Sequence, residues 1–77
     1  MKNNIKIKQI KFSNENNIIV ILSNDKNIHI PKNYTERLSK SDINDIKKYR
    51  ILPDGYWIHF ENIDEDITIK PFLSNMM

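Results

Sequence analysis

The chain has no cysteine. Disulfide stapling and thiolate metal sites are therefore excluded. The two histidines, His29 and His59, make a poor metal site by themselves. A single glycine, Gly55, rules out the glycine-rich loops that cradle phosphates. Long apolar runs are also missing. The longest is Ile18-Ile19-Val20-Ile21-Leu22, far too short to span a bilayer, and the N-terminus has no signal-peptide core. Nor does either sign of charge dominate. The 12 Lys+Arg and 10 Asp+Glu leave a net charge of +2, too small to imply nucleic acid. These absences lead us to expect a cytoplasmic protein with no cofactor, no metal and no membrane association.

What is present is a short, biased chain. At 77 residues it has room for one domain, residues 1–77, with a core that is marginal for want of buried area. It contains 15 Ile, 11 Asn and 10 Lys. That bias fits AT-rich coding better than a mechanism, so single lysines and asparagines carry little meaning. The charge is nevertheless uneven. Lys2, Lys6, Lys8 and Lys11 open the chain without an acid. Glu61, Asp64, Glu65 and Asp66 lie close together without a base.

The apolar period predicts the elements. Ile5 and Ile7 alternate with Lys6 and Lys8 as in a half-buried strand. The parity shifts at Ile10 and Phe12, which predicts a bulge near Gln9. Asn14–Asn17 reads as a turn, residues 18–23 as a central strand, Asn24-Asp25 as a second turn, and Ile28 and Ile30 as the inner side of a third strand. Residues 4–30 thus form a three-stranded antiparallel meander. Pro31 ends it. A short helix is expected over 32–39, with Tyr34 and Leu38 on one face. A second begins at a Ser41 or Asp42 cap and buries Ile43 and Ile46. Pro53-Asp54-Gly55 turns a second hairpin, from Arg50–Leu52 to Tyr56–Phe60. In it, Tyr56, Ile58 and Phe60 share one face, and Trp57 and His59 the other. The acids at 64–66 are expected to start a short C-terminal helical turn. The class is α+β: a small antiparallel sheet, meander plus hairpin, with two or three short helices.

Several blocks together carry a resemblance. They are Ile28-His29-Ile30-Pro31, Tyr34 with Arg37-Leu38, Asp54-Gly55-Tyr56-Trp57-Ile58-His59-Phe60, and Asp64-Glu65-Asp66-Ile67. From Ile18 to Leu73 the chain resembles a bacterial family known as domain of unknown function 2442. It departs from the usual pattern at Glu36 (usually Pro), Ile46 (usually Arg), Asn24-Asp25 (usually Asp-Gly) and Phe60 (usually Trp). The resemblance implies a small α+β fold and no established enzyme activity. Members are often encoded beside a second small protein, in pairs that look like toxin–antitoxin modules. Some continue into a helix-turn-helix domain, which we do not expect in a chain ending at Met77.

No nucleophile–base pair, phosphate loop or metal constellation is recognisable, so catalysis is not expected. The expected function is a non-catalytic, antitoxin-like module that occludes a basic surface of a protein partner, such as a toxin encoded nearby. The candidate contacts are Trp57, His59, Glu61, Asp64, Glu65, Asp66 and Arg37. Tryptophan is enriched at interface hot spots. The acids would steer a basic partner. Arg37 is expected to pair with a carboxylate of Asp64, Glu65 or Asp66. The alternative is a nucleic-acid-associated accessory protein, or a phage-type inhibitor of a nucleic-acid-processing complex, acting through Lys6, Lys8, Lys47, Lys48 and Arg50. Either a monomer or a homodimer is compatible, and lysines on the first strand disfavour pairing along it.

Overall fold

A computed structural model describes residues 5–73. Lys2 and Met77, which entered the sequence reading, lie outside the described residues. The element order is β1 (Ile7–Phe12), β2 (Ile18–Leu22), β3 (Asn27–Ile30), α1 (Glu36–Lys40), α2 (Ile43–Ile46), β4 (Tyr49–Ile51), β5 (Trp57–Phe60), β6 (Glu65–Thr68) and α3 (Lys70–Leu73). The class is α+β with strands dominant. The expected single sheet is instead two antiparallel three-stranded sheets, ordered β1-β2-β3 and β4-β5-β6.

The first sheet follows from its turns. Asn16 and Asp25 take positive φ, at 65° and 68°, which asparagine and aspartate tolerate better than most residues. Ser13 Oγ accepts from the backbone of Glu15 and Asn17, fixing the first turn. The β1–β2 register shifts between Ile7 and Gln9, as the parity change predicts. β2 alternates buried and half-buried residues. Ile18, Val20 and Leu22 face the core, and Ile19 and Ile21 face away.

The bulge lets β1 link the two sheets. On one side Ser23 N–H donates to Lys6 C=O at 2.8 Å; on the other, Ile7 N–H donates to Gly55 C=O at 2.9 Å. Gly55 is the second sheet's hairpin turn and has φ +81°. A Cβ there would stand 2.9 Å from the Lys6 Cβ and Cδ. Glycine is required twice over, by the backbone angle and by the close approach of β1.

The helices each add one residue to the common core and are shorter or later than expected. α1 begins after Thr35, whose Oγ1 caps the Leu38 N–H at 3.1 Å. Tyr34 therefore precedes the helix and shares no helical face with Leu38. It is 43% exposed and meets the Phe72 ring at 5.7 Å between centroids. Asp42 caps α2 through Asn44 N–H. The largest correction concerns the acidic run. Asp64 closes a turn at φ 53°, and residues 65–68 are strand β6, not a helix start. Ile67 and Ile69 keep the period of two expected of a strand. One buried cluster joins Ile10, Ile18, Val20, Leu22, Ile28 and Ile30 of the first half to Ile58, Phe60, Ile67 and Ile69 of the second, with Leu38, Ile46 and Leu73 from the helices.

Candidate functional site on the outer face of the second sheet

Register builds the site. Directly opposed residues of an antiparallel pair project to the same side. Trp57 faces Thr68, and His59 faces both Arg50 and Asp66. Leu52 N–H donates to Trp57 C=O at 3.0 Å, which brings Leu52 alongside Trp57. Two rows result, Leu52–Trp57–Thr68 and Arg50–His59–Asp66. Their neighbours Ile58 and Phe60 are fully buried on the opposite side. The helices send Leu38, Ile46 and Leu73 into that same buried cluster, so they lie on the inner side. Leu52 and Trp57 are apolar, half-buried and outside the core cluster, as Ile19 and Ile21 are on the first sheet.

The second row is polar and internally paired. His59 Nδ1 and Asp66 Oδ1 share a hydrogen bond of 2.5 Å. That bond orients the ring and leaves Nε2 as the ring nitrogen for an outside group. Arg50 Nη1 lies 3.7 Å from Glu61 Oε1, with both side chains more than half exposed. Trp57 and Asp66 are diagonal neighbours across β5 and β6, within reach of one long side chain from a partner.

The seven residues singled out in sequence divide between this face and elsewhere. Trp57, His59, Glu61 and Asp66 come together on it. Asp64 is an exposed turn residue beside it. Glu65 lies opposite Phe60 and points to the inner side, where its Oε2 accepts from Thr35 Oγ1 at 2.8 Å. Thr35 thus caps α1 and ties it to β6 at once. Arg37 does not pair with any of the three carboxylates. Its Nη1 donates to the backbone carbonyls of Ile63 and Asp64, at 3.1 and 3.2 Å. A guanidinium finding two carbonyls of a tight turn satisfies that turn's backbone, and the acids remain available to other groups. Sequence reading missed Arg50, Leu52 and Thr68 as members of the face. The Pro53-Asp54-Gly55 turn was the signal for the first two, because it fixes which residues of β4 oppose β5.

Four of the five basic residues named for the nucleic-acid alternative are engaged at separate places. Lys8 pairs with Asp25 at 3.0 Å, Arg50 with Glu61, and Lys47 Nζ sits 6.0 Å from the Phe12 ring centroid. The Lys6 side chain lies against Gly55.

A His–carboxylate pair is two members of an acyl-transfer constellation, and a hydroxyl would be the third. Thr68, two residues from Asp66 on the same strand face, instead donates its hydroxyl to Tyr56 C=O at 3.1 Å. Among the described residues, no group of three or more His, Cys, Asp or Glu side chains converges as metal ligands. None of their helices is long and apolar enough to cross a membrane.

A small two-sheet α+β domain with an indole and an ionic row on one open sheet face is the class these observations define. The chain belongs to the family described as protein of unknown function (DUF2442), whose sequence pattern it matches over residues 7–75. Two solved structures share the fold. A protein of unknown function from Rhodospirillum rubrum superposes with a TM-score of 0.79 at 20% identity, covering 95% of this chain and 89% of its own. An uncharacterised protein from Chromobacterium violaceum gives a TM-score of 0.74 at 20% identity, over 90% of this chain and 64% of its own. No curated protein matches the chain.

Proposed function

We propose that this protein is a non-catalytic protein-binding module, antitoxin-like in action. Its outer second-sheet face docks on a basic surface of a protein partner and blocks access to it. One observation carries the reading. Trp57 is held half-buried on the central strand of its sheet, outside the core cluster, diagonal to Asp66. A domain this small gains by burying its only tryptophan, so placing it on the open face serves contact rather than stability. The neighbouring carboxylates would steer a basic partner and set its register. The antitoxin-like form of the proposal draws on the paired-gene arrangement that the family resemblance implies.

The direct test is co-expression with the product of the adjacent gene. The reading expects co-elution of the two proteins, rescue of growth if the neighbour is toxic, and loss of both on Trp57→Ala. Failure to co-elute and to rescue would count against it. Binding to RNA or DNA that weakens steeply with salt, and is insensitive to Trp57→Ala, would favour the nucleic-acid alternative instead.

A further inference from the structure

The four sheet edges are not equivalent. The backbone of β1 is occupied on its outer side: Ile7 N–H meets Gly55, and Ile10 C=O accepts from the Tyr49 hydroxyl at 3.4 Å. It also carries the register shift and the exposed Lys8 and Lys11, features that blunt an edge. β4 is only three residues long, and its Tyr49 reaches across to β1. β6 carries Glu65 and Asp66. Pairing it with its own copy would gather four carboxylates.

β3 is also short, at four residues, but carries none of the other protections. Its sequence is Asn27-Ile28-His29-Ile30, without a charge, a proline or a bulge. Leu22 N–H donates to Lys26 C=O at 2.8 Å, which makes that pair a bonded one. Bonded and non-bonded pairs alternate along an antiparallel ladder. Val20–Ile28 and Ile18–Ile30 are then bonded pairs as well. Asn27 and His29, opposite Ile21 and Ile19, therefore turn their backbone groups away from β2. Among the described residues, those groups meet no partner, and both side chains are exposed.

We propose that β3 pairs antiparallel with β3 of a second copy of this chain, extending the first sheet to six strands across a two-fold axis at Ile28. In that register Asn27 of each copy opposes His29 of the other, and the two residue pairs exchange four backbone hydrogen bonds. Every outward group of the strand is matched. The Ile28 side chains meet on the inner side, and Asn27 and His29 meet on the outer side. Lys26 falls opposite Ile30, so no like charges are opposed. A self-complementary neutral edge selects a second copy over a charged foreign strand. The first sheet supplies this contact and the second sheet's face stays open, so the inference stands apart from the binding role proposed above.

A short edge contact is weak, so it is read by concentration. Sedimentation of the unmodified chain from about 10 μM to about 1 mM should show a reversible monomer–dimer equilibrium. Over the same range, amide exchange at Asn27 and His29 should slow as the dimer forms, and exchange at Asp66 and Thr68 on the β6 edge should not change. His29→Pro removes one outward N–H without touching the β2 ladder, a position where an edge strand tolerates proline. It should leave a folded monomer throughout the range. A chain that stays monomeric at about 1 mM would overturn the proposal. So would a dimer whose formation leaves the Asn27 and His29 amides unprotected, or one that His29→Pro leaves intact. Should that variant fail to fold, the exchange measurement on the unmodified chain decides alone.

Discussion

The two sheets have the same strand number and the same antiparallel order, and of their faces the outer ones are where they differ. Facing the core, both present isoleucine, valine, leucine or phenylalanine at a period of two. Facing outward, the first sheet presents Ile19 and Ile21 between Lys11 and Gln9 on one strand and His29 and Asn27 on the other. The second presents Trp57 between Leu52 and Thr68, then His59 bonded to Asp66 beside the Arg50–Glu61 pair. A strand's inner residues specify the fold, and its outer residues are free to take on other work. The contrast separates substitutions that test folding from those that test recognition.

The comparison breaks most visibly in the core, where the sheets should behave as one unit. Leu22→Ala in the first sheet and Phe60→Ala in the second each remove a fully buried side chain, at a cost of about 3–5 kcal/mol. For a domain of this size that approaches the whole stability. Because both residues belong to one cluster, Leu22→Ala should shift the unfolding followed by Trp57 fluorescence as far as that followed by far-ultraviolet circular dichroism. Two separated transitions would mean that the sheets unfold independently.

The link between the sheets comes next. Gly55→Ala forces a positive φ on alanine and drives its Cβ into the Lys6 side chain. About 1–3 kcal/mol of destabilisation should follow, seen as a lower urea midpoint. Lys6→Gly in the same background should recover the steric part of the loss and leave the backbone part.

A smaller effect is expected where α1 meets β6. Thr35→Val removes both the cap to Leu38 and the bond to Glu65, and should cost about 1–2 kcal/mol. Glu65→Gln keeps an acceptor for the Thr35 hydroxyl and should cost less than half as much.

The surface ion pairs come last. Lys8–Asp25 and Arg50–Glu61 join side chains that are more than half exposed. Asp25→Asn and Glu61→Gln should each move stability by no more than about 0.5 kcal/mol. The two should differ in binding: only Glu61→Gln, on the second sheet's face, should weaken a basic partner.

The local parts of this architecture were legible in the sequence. The meander, the bulge near Gln9, the Asn24-Asp25 turn and the Gly55 hairpin all depend on residues within a few positions of one another. So does the division of β5 into Ile58 and Phe60 inside and Trp57 and His59 outside. The acidic run was misread because carboxylates suit a helix start on electrostatic grounds. The alternation of Ile67 and Ile69, however, serves a strand, and hydrophobic burial outweighs a surface dipole effect. Arg37 was placed at the right turn but on the wrong atoms: it bonds the carbonyls of Ile63 and Asp64 and not a carboxylate, a choice set by how a turn 26 and 27 residues away folds back on it. The split into two sheets was hidden for the same reason: which edge meets which is settled by how β1 crosses to Gly55. Of the site, the Trp57 and His59 parity was readable, whereas the flanking Arg50 and Thr68 needed the cross-strand register.

One paired titration tests the central claim, that recognition resides on the outer face of the second sheet and not on that of the first. Trp57→Ala and Ile19→Ala would each be titrated by calorimetry against the adjacent gene's product, with folding of both checked by circular dichroism. The account predicts at least about a thirtyfold loss of affinity for Trp57→Ala, the scale of a hot-spot residue, and no measurable change for Ile19→Ala. Equal affinity of folded Trp57→Ala and the unmodified chain, or a loss confined to Ile19→Ala, would contradict it.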